Sequence, residues 1–294
     1  MAQGYPGHET GESGLMRLRA PNPSPMTADG TNSYVLGHDD VAIIDPGPAI
    51  ADHLDRIVAA VGGRPVVGIF VTHSHLDHSP GARPLTERLR APVMGFGPSA
   101  AGRSAIMARL SGLAGGEGVD ADFDPEVRLR DGEQVDGDGW SLRAHWTPGH
   151  MGNHLSFEWC EARVVFTGDT VMGWASTMIS PPDGDLGQFM ASLDRLEALD
   201  ARRFHSGHGA PIDTPAARCR ALRAHRQGRE AAILDAMDGP VRIPDLVARI
   251  YADTPPTLHA AAARNVLAHL IHLAERNHVK ATPAPLPEAI WRRT

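Results

Sequence analysis

The chain has 294 residues, 42% of them hydrophobic and 21% charged, with a formal net charge of −7 at pH 7. That is enough for one large unit with a smaller one beside it, each able to bury apolar surface. No apolar stretch approaches the roughly 20 residues of a membrane span, and Cys160 and Cys219 form no C-x-x-C pair, which excludes a membrane-spanning protein and a disulfide scaffold.

In chain order, residues 1–20 come first. They are polar around Gly7, His8 and Glu9 and lack an apolar signal core, so they read as a flexible N-terminal arm with no export signal, and a cytoplasmic location is expected. Residues 21–214 alternate strand-like runs (33–36, 41–44, 66–71, 141–146, 155–159, 164–167) with helical ones (50–61, 84–90, 186–199). In the last helix Leu186, Phe189, Met190, Leu193 and Leu196 fall at helical spacing and form an apolar stripe. Periodicity alone therefore gives an α/β unit. Residues 215–294 are mostly helical. An arginine- and alanine-rich helix over 216–237 stops at Asp238-Gly239-Pro240, and helices over 241–251 and 258–275 and a strand over 278–282 follow. Three helices and a strand resemble a winged-helix domain. This tail holds 12 basic and 7 acidic residues, net +5, which leaves −12 for the rest of the chain. The asymmetry fits nucleic acid, and it fits equally a solvated helix face made of Arg218, Arg220, Arg223, Arg226 and Arg229.

The chemistry concentrates at Thr72-His73-Ser74-His75-Leu76-Asp77-His78, which follows the apolar run 66–71. In an extended segment His73 and His75 leave the same face and can reach one ion, whereas Asp77 and His78 follow where the chain must turn. That geometry suggests two ions. Further ligands of suitable type come later: His150 in Thr147-Pro148-Gly149-His150 and Asp169 in Gly168-Asp169-Thr170 each follow a strand-like run, and His208 lies in the glycine-flanked loop 204–209. Five histidines and two aspartates make seven ligands, enough for two ions if one carboxylate bridges. His154 and His205 lie near these in sequence and are assigned no metal.

The ordered set T-H-x-H-x-D-H, T-P-G-H, G-D-T and G-H-G resembles the metallo-β-lactamase superfamily. The resemblance implies one zinc on His73, His75 and His150, a second on Asp77, His78 and His208, and Asp169 bridging both. It also implies an αββα sandwich of two face-to-face sheets with helices outside and the metals at one sheet edge. Asp45, in Ile43-Ile44-Asp45-Pro46-Gly47, matches an upstream acidic motif and is expected to orient a ligand. The segments 22–34 and 179–185, with the winged-helix-like tail, are similar to the β-lactamase-like protein 2 branch, in which Ser24 stands where glycine is common. Thr31, Asn32, Ser176 and Thr177 either line the mouth or serve as ordinary turn residues.

Two zinc ions would hold a bridging hydroxide against a carbonyl or phosphorus centre, with Asp77 and Asp169 as catalytic carboxylates. The expected activity is a dinuclear zinc-dependent hydrolase. By resemblance the substrate is single-stranded RNA, cut internally; the alternative is an ester, thioester or lactone of a small metabolite. A nucleic-acid-binding regulator is disfavoured by the intact ligand set. The expected partners are such a substrate and no membrane, and a homodimer stays open.

Overall fold

The computed structural model describes residues 8–110, 113, 118–255 and 258–294. The apolar runs build two sheets. In the first the strands lie side by side in chain order: β1 (His8–Glu9), β2 (Leu15–Arg19), β3 (Asn32–Leu36), β4 (Val41–Ile44), β5 (Val66–Phe70), β6 (Val93–Gly95) and β7 (Val127–Arg128). In the second, β8 (Gln134–Gly137), β9 (Trp140–Trp146), β10 (Leu155–Trp159), β11 (Val164–Gly168) and β12 (Arg203–Ser206) lie in the order β12-β11-β10-β9-β8.

The sheets pack face to face, and alternation decides what each side chain meets. Along β4, Ala42 and Ile44 face the second sheet, while Val41 and Ile43 face helices α1 (Ala51–Val61) and α2 (Ala82–Leu89). Both faces are covered, which is why such strands read as unbroken apolar runs. Between the sheets Phe70 meets Phe157 edge-on, with ring centroids 5.4 Å apart. Each fully buried ring of this kind contributes roughly 1.5–3 kcal/mol. On the outer face of the second sheet, Val165 and Phe204 pack on Leu186, Phe189, Leu193 and Leu196 of α4 (Leu186–Ala198), the predicted apolar stripe. The layers are helix, sheet, sheet, helix, as expected.

Of the expected flexible arm over 1–20, residues 1–7 lie outside the described residues, and residues 8–20 correct the expectation. β1 pairs with β2 and β2 with β3, both antiparallel, so this segment extends the first sheet. Leu15 and Leu18 are buried, and buried Glu12 bonds Arg203 Nη1 (2.7 Å) and His205 Nε2 (3.2 Å) at the start of β12.

The tail contains α5 (Pro215–Asp235), α6 (Ile243–Ile250), α7 (His259–Glu275) and the antiparallel pair β13 (Val279–Thr282) and β14 (Ile290–Arg293). The second strand of that hairpin lies beyond the predicted one. A separate apolar core joins Ile233, Leu246, Val266, Leu270, Val279 and Trp291, and it also takes Met107 of a short helix, α3 (Ala105–Arg109). The boundary near residue 215 does not separate two bodies cleanly. The first half of α5 packs with α4 through Cys219 and Leu222, and its second half enters the tail core through Ile233. Among the described residues no helix is long and apolar enough to cross a membrane.

Candidate metal centre

Strand direction explains why distant motifs meet. β4 and β5 run parallel, so Asp45 and the His73 segment leave the same edge. β9 and β11 each pair antiparallel with β10 and so share a direction, and β12 runs parallel to β11, so His150, Asp169 and His208 leave one edge too. The two edges are stitched together. Asn32 N donates to Gly207 O (2.7 Å), Tyr34 Oη to Ser206 O (2.8 Å) and Leu155 N to Thr72 O (2.7 Å).

All seven predicted residues converge here. His75 Nδ1 lies 3.0 Å from both His73 Nε2 and His150 Nε2. Beside them, Asp77 Oδ2 lies 3.1 Å from His208 Nε2 and 3.4 Å from His78 Nε2. Asp169 stands between the groups, with Oδ2 3.3 Å from His208 Nε2 and 3.8 Å from His150 Nε2, and Oδ1 3.5 Å from His78 Nε2. His73, His75 and His150 form one set able to hold an ion; Asp77, His78 and His208 form another; His73, His78 and Asp169 link them.

The neighbours of these rings show what the cluster is shaped for. His78 Nδ1 faces Asp45 Oδ2 (2.9 Å), His150 Nδ1 faces Met178 O (2.9 Å), and His208 Nδ1 faces Gly30 O (3.2 Å). With protons assigned to those nitrogens, each ring donates outward and turns its Nε2 toward the other ligands. Burial, together with the neighbouring rings, pushes His73 well below the ordinary histidine range; burial with His150 pushes His75 down to about 3. Burial also opposes charge on His78 and His208, yet the surrounding carboxylates outweigh it: His78 rises well above its usual range and His208 rises to about 9. Asp77 and Asp169 are held ionised against burial, Asp77 by His78 and His208 and Asp169 by His208 and His78. The carboxylates thus call for positive charge between them and the Nε2 atoms. Asp169 Oδ1 is buried without a hydrogen bond, and a Cβ on Gly207 would collide with that oxygen and with His78 Cε1. A nitrogen- and oxygen-rich set with an orphaned carboxylate oxygen and a kept space fits divalent metal.

Supporting residues are also placed. Asp45, at φ +48, accepts from Thr72 N (2.7 Å) and Thr72 Oγ1 (2.8 Å) besides facing His78, which is the orienting role expected of it. Among the described residues His154 belongs to none of the three candidate ligand sets. It accepts from Asp169 N (3.2 Å) and stacks on His73 at 5.0 Å. Thr31 Oγ1 donates to Asp77 Oδ2 (3.1 Å) and Thr177 Oγ1 to Asp169 O (2.6 Å), so both do more than form turns. Ser24 Oγ accepts from Met26 N and Thr27 N, both at 3.1 Å, and so shapes the turn beside the opening.

That opening was not legible in the motifs. A cavity of about 200 Å³ over the cluster is lined by Met26, Thr27, Gly118, Met172 and Met178, together with five of the candidate ligands, and by no lysine or arginine among the described residues. Met26 is 57% exposed, Leu76, between His75 and Asp77, 50%, and Trp174, beside Gly209, 44%. The arginines of α5 are engaged elsewhere: Arg220 and Arg223 pair with Glu197, Arg218 bonds Met172 O and Ala175 O, and Arg229 stacks on Tyr251.

Comparison with known proteins agrees with this geometry. The model of the metallo-beta-lactamase superfamily matches residues 26–208, and that of the beta-lactamase associated winged helix domain matches residues 243–291. A beta-lactamase-like protein 2 homolog from Caenorhabditis elegans is 30% identical over 262 residues, 86% of this chain and 81% of that one. An atrochrysone carboxyl ACP thioesterase from Aspergillus fumigatus is 30% identical over 227 residues, 76% of this chain and 64% of that one. A metallo-beta-lactamase family protein from Thermus thermophilus has a similar structure, with TM-score 0.75 and 29% identity over 96% of this chain and 99% of that one. Another solved structure, described in a di-iron-bound form, has TM-score 0.52 and 26% identity over 68% and 96%.

Proposed function

Because the chain belongs to the metallo-β-lactamase superfamily, whose members are hydrolases, we propose that it is a dinuclear zinc hydrolase of small esters or thioesters with an apolar acyl group. The observation that carries the substrate class is the methionine-lined, arginine-free mouth directly over the ligand cluster. A phosphodiester chain calls for cations along its path, and the α5 arginines, which nucleic acid and a solvated helix face explained equally well in sequence, have partners within the protein. The similar Aspergillus protein is named as a thioesterase, which supports the same choice.

His73, His75 and His150 would hold one ion, Asp77, His78 and His208 the other, with Asp169 facing both. Bound there, two divalent cations supply Lewis acidity and lower the pKa of water toward neutrality. The chain does the rest. Asp45, Met178 O and Gly30 O keep His78, His150 and His208 aimed inward, which saves reorganisation when charge develops at the reacting carbonyl. Met26, Met172 and Met178 exclude water from the acyl side and hold an apolar chain by burial. Asp77, whose side chain is 25% exposed against 9% for Asp169 and is tied by Thr31, is the more open of the two acids lining the cavity, placed to accept a proton at its carboxylate and pass it to the leaving group.

The test uses zinc-loaded protein beside Asp169→Ala, each given an octanoyl thioester of N-acetylcysteamine and a labelled single-stranded RNA. Thioester hydrolysis lost in the variant, with the RNA intact, is the expected result. RNA cleavage that depends on Asp169, with no thioester turnover, would replace this reading with the nuclease one.

A further inference from the structure

Residues 170–178 carry Met172 and Met178 of the mouth and the exposed Trp174, and they adjoin Asp169, yet they form no helix or strand. They are held from outside by α5. Arg218 donates through Nε to Met172 O (2.7 Å) and through Nη2 to Ala175 O (2.6 Å). One face further along, Arg226 is only 2% exposed. Its Nη2 donates to Thr177 O, its Nη1 donates to Asn265 Oδ1 of α7 (3.0 Å), and its guanidinium lies 5.4 Å from the centre of the Phe189 ring. Thr177 Oγ1 in turn donates to Asp169 O (2.6 Å), while His154 accepts from Asp169 N (3.2 Å). The Asp169 backbone is therefore held at both its N–H and its carbonyl, the second contact leading through Thr177 to Arg226 and the tail.

Desolvation makes a buried guanidinium costly, and burial lowers the Arg226 pKa to about 10. An apolar side chain of similar length would fill the same space at lower cost, so the site's use for a cation lies in the bonds it donates. We propose that Arg226 is a positioning residue for the metal centre, fixing the Asp169 peptide through Thr177 and so making the C-terminal unit part of what holds the bridging carboxylate. This rests on the reading of Asp169 as a ligand and not on the substrate class. It also accounts for an arginine-rich helix without nucleic acid.

The experiment compares full-length Arg226→Met, Arg226→Lys, Thr177→Val and the Arg226→Met/Thr177→Val double variant with the wild type. Zinc retention is measured against a competing chelator, and hydrogen exchange is followed over 170–178. Loss of an outer partner of a ligand typically weakens metal affinity about 10- to 100-fold. Arg226→Met and Thr177→Val should each show a loss of about tenfold and faster exchange in 170–178. Lysine should restore part of it, and the double variant should lose little more than the worse single, because both act on one chain of contacts. Wild-type retention and exchange in the single variants, or fully additive losses, would overturn the proposal. If Arg226→Met does not fold, Thr177→Val decides: unchanged zinc retention there overturns it. Thioester turnover is not a readout, so a wrong substrate class leaves these outcomes intact. Wild-type protein that retains no zinc would sink the ligand reading and the proposal together, a result distinct from normal binding in wild type and variants alike.

Discussion

The histidine cluster at the sheet edge and the arginine row on α5 look alike in sequence, each a dense set of ionisable groups, but the fold treats them oppositely. On α5 the charges find partners inside the protein: Glu197 for Arg220 and Arg223, Tyr251 for Arg229, and backbone carbonyls for Arg218 and Arg226. At the edge, ring nitrogens and carboxylate oxygens turn toward one another, and Asp169 Oδ1 accepts no hydrogen bond. Arg223 Nε and Arg226 Nε are also buried without a hydrogen bond, so the difference lies elsewhere: each guanidinium has a partner of opposite character, whereas ring nitrogens and carboxylates that converge on one space call for a cation.

Asp169→Ala should remove most bound metal and lower kcat/KM by about 1,000-fold or more, roughly 4 kcal/mol of barrier, while cooperative melting persists. Metal analysis beside kinetics checks this, and full activity with two ions bound would sink the bridging role. Gly207→Ala adds a methyl where Asp169 Oδ1 and His78 lie, and a displaced ligand should cost about 100-fold in kcat. Near-normal kcat would mean that the space is not needed.

His53 offers a third kind of histidine, neutral and buried beside Ser33 Oγ (2.9 Å), with burial pushing its pKa down to about 4. The unfolded chain binds its proton near pH 6.5, so stability is full above that value and falls as pH drops toward 4. The loss from pH 7 to pH 5 should be on the order of 2 kcal/mol. Denaturant melts of wild type and His53→Gln should show a flatter acid limb in the variant; identical limbs would refute the assignment. Met172→Ala should reduce kcat/KM for an octanoyl thioester about tenfold and leave an acetyl thioester nearly unchanged. Equal losses for both would remove Met172 from the acyl path.

Much of this was legible because the ligands follow recognisable strands. The run 66–71 forms β5 and delivers His73 at its end, 141–146 and 164–167 do the same for His150 and Asp169, and all seven residues that converge at the edge could be named from their order. β2 was missed for a physical reason: its buried residues, Leu15 and Leu18, break strict alternation, and Met16 and Arg17 between them are half-buried. β12 is four residues long, with polar residues at three of its positions, and it read as a loop. The methionines of the mouth could not be read, since Met26 comes from one loop and Met172 and Met178 from another, and they carry no spacing signal. The arginines of α5 showed only a helix face, because their partners lie on α4, α7 and the 170–178 loop.

The most direct measurement is kcat/KM of zinc-loaded protein across thioesters of N-acetylcysteamine with two-, four-, six- and eight-carbon acyl chains. A buried methylene is worth up to about 0.8 kcal/mol, or nearly fourfold, so the account predicts a steep rise with chain length that vanishes in Asp169→Ala. A flat series, or turnover indifferent to Asp169, would contradict an apolar acyl site built over this metal centre.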